Sequence, residues 1–229
     1  MKTIGLIGGM SWESTITYYQ IINEYVKNKL GGLHSAKILL YSVDFADIEE
    51  CQSNGDWDKS AQILGEAAHS LEKGGADFIV ICTNTMHKVV PQISTYANIP
   101  ILHIADATAD ELEKHGIDHF ALLGTKYTMT QDFYKERLTA RGIKVMVPEG
   151  KDIETVNDVI YKELCLGILS DESREKYRKI IRKMKDKGAK GVILGCTEIG
   201  LLIRQKDSVL PVFDTTIIHG QAATKKSIE

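Results

Sequence analysis

GADFIVICTNTMH, residues 75–87, and GAKGVILGCTEIG, residues 188–200, follow one local plan. A glycine stops a helix, a short apolar run follows, and a polar turn closes the segment. The apolar runs are continuous rather than alternating, so both faces of each strand must be covered, as in a parallel sheet. Gly75 aligns with Gly188 at a shift of 113 (188 − 75), which sets Thr83 on Cys196, Asn84 on Thr197 and Thr85 on Glu198. Nearby, IPIL (99–102) echoes LPVF (210–213). Upstream, IGLIGG (4–9) echoes FALLGT (120–125) at a shift of 116 (120 − 4). Three echoes in one order imply that whole strand–helix–strand units are repeated.

Working outward, strand and helix patterns alternate. TIGLIG (3–8), AKILLYSV (36–43), ADFIVIC (76–82), IPILHI, DHFALLG, IKVMV, GVILG and LPVFD read as strands. Residues 11–30, with Ser11 as N-cap, and 56–75 read as helices, and a helix follows Thr83. Between 173 and 188, Tyr177, Ile180, Ile181 and Met184 recur at helical spacing, so the lysines and arginines there form a solvated face. The fold class is α/β, with two pseudo-symmetric, doubly wound lobes on parallel sheets. The expected lobes are 1–101, completed by 211–229 with the strand LPVFD, and 102–210.

With 229 residues, 43% hydrophobic and 26% charged, the chain has enough material for a substantial core. A net charge of −3 gives no basic excess for nucleic acid. No apolar run reaches transmembrane length and no secretory leader is apparent, so a cytoplasmic protein without a membrane partner is expected. Cys51, Cys82, Cys165 and Cys196 form no CxxC pair, and the seven histidines show no HExxH. Free thiols and no metal are expected. The loops GGMS (8–11) and GTKYT (124–128) lack the glycine spacings of nucleotide sites.

Ligands of parallel sheets bind at the carboxyl ends of strands. Thr83 and Cys196 each follow a strand end, at equivalent places in the repeat. If the lobes face each other, the two side chains approach one cleft from opposite sides. Two opposed proton-handling groups can invert a stereocentre without a cofactor. A thiol, with a pKa of about 8.5 that helix N-termini lower, suits that work. Cys196 stands at a strand-to-helix junction, where this lowering is expected.

The motifs GLIGGMSWEST, CTNTMH, LLGTKYTM and GCTEIG resemble those of the aspartate/glutamate racemase superfamily, over essentially the full length. The resemblance is strongest to the broad-specificity L-aspartate/glutamate branch. It implies that Cys196 and Thr83 are the acid/base pair in an isomerase that uses no cofactor. It further implies that Asn84, Thr85, Thr125, Thr128 and Thr197 hold the carboxylate and ammonium of a small amino acid. Met10 and Gln52 would line the cleft wall, and the protein would be a homodimer. Pyridoxal phosphate is not expected, because Lys126 is the only lysine in the cleft loops and no phosphate loop accompanies it.

The chain departs from the two-cysteine pattern in having Thr83 where cysteine would stand, with Cys82 one residue earlier. Strand alternation turns Cys82 to the core. The helix KELCLG carries Cys165 where a side-chain-gripping lysine is expected in strict aspartate racemases, and Cys165 reads as packing. Glu198 is either an ammonium partner or a carboxylate favoured at a helix start. His87 is either a proton relay to Thr83 or a structural histidine, and His103 reads as structural. Single-cysteine decarboxylases and isomerases of the arylmalonate and maleate type share the scaffold and give a second reading. A non-catalytic amino-acid binder gives a third.

Overall fold

A computed structural model describes residues 1–229. The chain divides into two compact units, Met1–Ile104 with His219–Glu229, and Ala105–Ile218. Each is built on a four-stranded parallel sheet.

The first unit runs β1 (Ile4–Gly8), α1 (Trp12–Leu30), β2 (Ile38–Ser42), α2 (Phe45–Asn54), α3 (Trp57–Lys73), β3 (Phe78–Ile81), a 3₁₀ turn at Thr85–Val89, α4 (Val90–Ile93) and β4 (Ile101–Leu102). The strand order is β2-β1-β3-β4. β1 and β3 are buried throughout, which their continuous apolar sequences require. Tyr18, Ile22 and Val26 recur along α1 and are fully buried. Ala223, on the helix that closes the chain, shares the cluster of Tyr18 and Ile22. On the opposite side, Leu64, Ala67, Ala68 and Leu71 of α3 pack with Ile7, Ile79 and Ile81.

After α5 (Ile104–Leu112), the second unit runs β5 (His119–Gly124), α6 (Lys126–Thr130), α7 (Asp132–Thr139), β6 (Lys144–Met146), α8 (Lys151–Lys162), α9 (Asp171–Asp186), β7 (Gly191–Gly195), α10 (Ile199–Leu202) and β8 (Val212–Asp214). α11 (Thr215–Ile228) then carries the chain back to the first unit. The strand order β6-β5-β7-β8 copies the first sheet strand for strand. Tyr177, Ile180, Ile181 and Met184 of α9 are buried, as their spacing requires. Its charged face is not wholly given to solvent. Arg178 binds the Asp207 carboxylate at 2.5 Å, tying α9 to the segment after α10.

The repeat extends to the hydrogen bonds. At the end of α3, the amides of Gly75 and Ala76 donate to the carbonyls of Glu72 and Leu71. At the end of α9, those of Gly188 and Ala189 donate to Lys185 and Met184, the same bonds 113 residues later. Gly75 and Gly188 have φ of 93° and 102°, a region that glycine enters without steric cost.

Two expectations are corrected here. LPVFD does not complete the first lobe. Val212, Phe213 and Asp214 pair with Val192, Ile193 and Leu194 of β7, so 211–218 belong to the second unit. β8 occupies the free edge of β7, as β4 occupies that of β3, and the echo of IPIL in LPVF reflects that equivalence. Also, residues 45–54 form α2, a helix that the sequence reading left out. Asp44 caps it by accepting from the Ala46 amide at 3.0 Å.

Candidate active site

In the second unit, the strand ends of β5 and β7 lie side by side, with Gly124 paired to Gly195. A Cβ on Gly124 would stand 2.7 Å from the Gly195 carbonyl oxygen, and one on Gly195 would stand 2.6 Å from Leu122 Cδ1. At Gly124, where the neighbour is backbone, only glycine permits this approach, which brings the two following turns together. Thr125 caps α6 by accepting from the Thr128 amide at 3.3 Å, and the two hydroxyl oxygens are 3.2 Å apart. Thr128 is fully buried beside the glycine pair.

The β7 turn carries Cys196, Thr197 and Glu198, all buried, with Cys196 7% exposed. The Cys196 thiol and the Thr197 hydroxyl both donate to Glu198 Oε2, each at 2.9 Å. Burial pushes the Cys196 thiol well above its ordinary pKa. The Glu198 carboxylate and, behind it, Cys165 push the same way, and the Glu198 backbone amide opposes them. The expected lowering by a helix N-terminus is therefore reversed. α10 spans only four residues, too few for an appreciable dipole, and an anion faces the sulfur.

Three residues that the sequence reading assigned to packing, or passed over, surround this turn. Cys165, in the 3₁₀ segment Leu164–Leu166 rather than in a helix, acts electrostatically on Cys196. Tyr177 is buried, donates to the Val156 carbonyl at 3.1 Å, and has its phenol pKa raised by burial and then by Cys196. Asp214 caps α11 through the Thr216 amide at 2.8 Å, and its carboxyl is raised by burial, with a further contribution from Glu198. An aspartate directly after LPVF was the only sequence signal among them.

In the first unit, Thr83, Asn84 and Thr85 follow β3; Thr83 is half-buried and the other two are buried. The Thr83 amide donates to the Ile81 carbonyl at 2.9 Å, and the His87 amide to that of Asn84 at 3.1 Å. Met10 packs in one cluster with Ile48, Ile81 and Met86, and Gln52 donates to Met86 Sδ at 3.1 Å. In the β1 turn, the Gly9 amide donates to Thr15 Oγ1 at 2.9 Å. Cys82 is fully buried among Ile4, Leu6, Tyr18 and Phe78, and burial alone pushes its thiol far upward. The ten residues singled out for the site thus form two groups. Met10, Gln52, Thr83, Asn84 and Thr85 lie in the first unit, and Thr125, Thr128, Cys196, Thr197 and Glu198 in the second.

No three histidine, cysteine or carboxylate side chains gather in a way that could hold a metal ion. No helix is long and apolar enough to cross a membrane.

Two like units on four-stranded parallel sheets are a fold that this chain shares with solved structures of Asp/Glu racemase relatives. The chain belongs to the Asp/Glu/hydantoin racemase family, whose model matches residues 7–223. It is 56% identical to a Yersinia pestis protein, described as a candidate Asp/Glu racemase, whose crystal structure it matches over the full length of both chains with a TM-score of 0.92. An aspartate racemase homologue from Pyrococcus horikoshii OT3 is 37% identical, again over the whole of both chains, with a TM-score of 0.86. The broad specificity amino-acid racemase RacX of Bacillus subtilis (strain 168) is 24% identical over 219 residues, covering 93% of this chain and 92% of that protein.

Proposed function

We propose that this protein is a cofactor-independent racemase of L-aspartate and L-glutamate, in which Cys196 and Thr83 act on opposite faces of the α-carbon. The observation that carries the reading is the equivalence of the two turns. In two sheets of the same strand order, a thiol follows β7 and a hydroxyl follows β3. The family and the full-length likeness to Asp/Glu racemases support it.

In the resting protein the Cys196 thiol is protonated, with its proton directed at Glu198 Oε2. Passing that proton to Glu198 gives a thiolate without changing the charge of the pair. The thiolate then removes the α-proton of the L-amino acid, and the electron pair stays on the α-carbon. The Thr83 hydroxyl delivers its proton from the other face and recovers one from solvent, while Glu198 returns to solvent the proton it took, which restores the resting pair. Asn84, Thr85, Thr125, Thr128 and Thr197 supply hydroxyl and amide groups for the substrate carboxylate and ammonium.

The test is α-carbon deuterium exchange in deuterium oxide over a panel of L- and D-amino acids. Exchange is expected with aspartate and glutamate, and Cys196→Ala should abolish it while leaving the circular dichroism spectrum intact. Substantial exchange by a folded Cys196→Ala protein would remove the thiol from the mechanism. No exchange by the wild type would favour a decarboxylase or a binding protein instead.

A further inference from the structure

We propose that His87 is a positioning residue for Thr83, acting as the neutral imidazole that carries its proton on Nδ1. The proposal rests on the racemase reading above for its catalytic consequence. His87 lies in the 3₁₀ segment that follows the β3 turn, and it is 2% exposed. Its Nδ1 is 2.8 Å from the Thr83 carbonyl oxygen, a group that can only accept, so Nδ1 is the donor. Its Nε2 is 3.2 Å from the Ile104 amide, a group that can only donate, so Nε2 is the acceptor. The two contacts together fix one tautomer of the neutral ring. They also join the residue that carries the reactive hydroxyl to the backbone beyond β4.

The ring is held on its other sides by two more histidines. His103 meets it edge to face at a centroid separation of 4.6 Å, and His219 does so at 5.7 Å. A ring with both nitrogens committed to backbone groups is a poor proton relay, because passing a proton would break one of those bonds. It is well suited to fixing the Thr83 peptide, and with it the direction of the hydroxyl. Reactive geometry is unforgiving, and a shift of about 1 Å can cost on the order of 100-fold in rate.

The consequence is specific to one half of the reaction. Removal of the α-proton of an L-substrate depends on Cys196, whereas inversion also requires donation by Thr83. In deuterium oxide with L-aspartate, exchange with retention and exchange with inversion are measured together, by mass spectrometry and chiral chromatography. In His87→Ala, inversion should fall relative to total exchange by roughly 10- to 100-fold. His87→Asn, whose side-chain amide can reproduce the Nδ1 donor, should recover most of the wild-type ratio. His87→Gln, whose amide lies nearer the Nε2 position, should not. An unchanged ratio in a folded His87→Ala protein, or rescue by Gln as good as by Asn, would overturn the proposal.

A second measurement needs no substrate. The ¹⁵N spectrum of the wild-type histidine rings, assigned with His87→Asn, should show His87 protonated on Nδ1 at neutral pH. An Nε2-protonated or doubly protonated ring overturns the anchoring, and it decides the matter if His87→Ala does not fold. A wild type with the Nδ1 proton in place but no α-carbon exchange would contradict the racemase reading and support the anchoring.

Discussion

At Cys196 burial and a single carboxylate oxygen act together on the thiol. Glu198 Oε2 accepts a hydrogen bond from the Cys196 thiol, and its carboxylate opposes loss of that proton. Removing the charge while keeping the shape should therefore bring the thiol pKa down. Glu198→Gln is predicted to shift the pH profile for alkylation of Cys196 by iodoacetamide to lower pH, with Cys196→Ala as the blank. A profile that stays in place or moves up would mean that Glu198 does not hold the proton on sulfur. The same residues show where sequence reading ran short. The GCTE motif drew attention to Cys196, but the sign of its pKa shift depends on burial and on which way Glu198 turns. His87 posed a similar limit, since its partner at Ile104 is 17 residues away and offers only a backbone amide.

At the scale of elements, the repeat is most fully expressed where helix turns into strand. Gly75 and Gly188 both adopt positive φ, and a Cβ at either position would meet open space. The cost of alanine there is conformational alone, about 1–2 kcal/mol at each site. Gly75→Ala and Gly188→Ala should lower the urea midpoint by comparable amounts, and the two losses should add, since the glycines lie in different units. A large effect at one position with none at the other would contradict the equivalence of the two turns. The strands themselves were legible because β1, β3, β5 and β7 are short, apolar and continuous. β8 was misassigned because an edge strand three residues long names no partner in its own sequence, although its echo of IPIL did. α2 was missed because its buried positions, Ile48, Cys51 and Gln52, make too short a stripe for a periodicity reading.

At the scale of the whole molecule, α11 secures the chain's return to the first unit through His219. This fully buried ring lies 2.9 Å from both the Tyr18 hydroxyl and the Leu102 carbonyl, and burial lowers its pKa from 6.5 to about 4. The unfolded chain therefore binds a proton that the folded chain refuses between those values. The contribution is complete above pH 6.5 and is lost as pH falls toward 4, a change on the order of 3 kcal/mol. His219→Gln keeps a donor for Leu102 and removes the titration. Urea unfolding at pH 7 and pH 4.5 should therefore show a larger acid loss in the wild type than in the variant. Equal losses would mean that His219 does not carry this dependence.

The central claim is that the two turns are alike in their place in the fold and unequal in chemistry. Cys196 can become a base, while Thr83 readily serves only as an acid, and general acid–base groups contribute about 10²- to 10⁴-fold. Racemisation has an equilibrium constant of one, so the inequality cannot favour either product at equilibrium. It must appear instead in initial exchange, in kcat and in KM. The most direct measurement is the initial rate of α-carbon deuterium exchange for L- and D-aspartate and L- and D-glutamate, in the wild type and in Thr83→Cys. The account predicts that the wild type exchanges the L-forms much faster than the D-forms, and that Thr83→Cys raises exchange of the D-forms. Equal wild-type rates from the two enantiomers would contradict it.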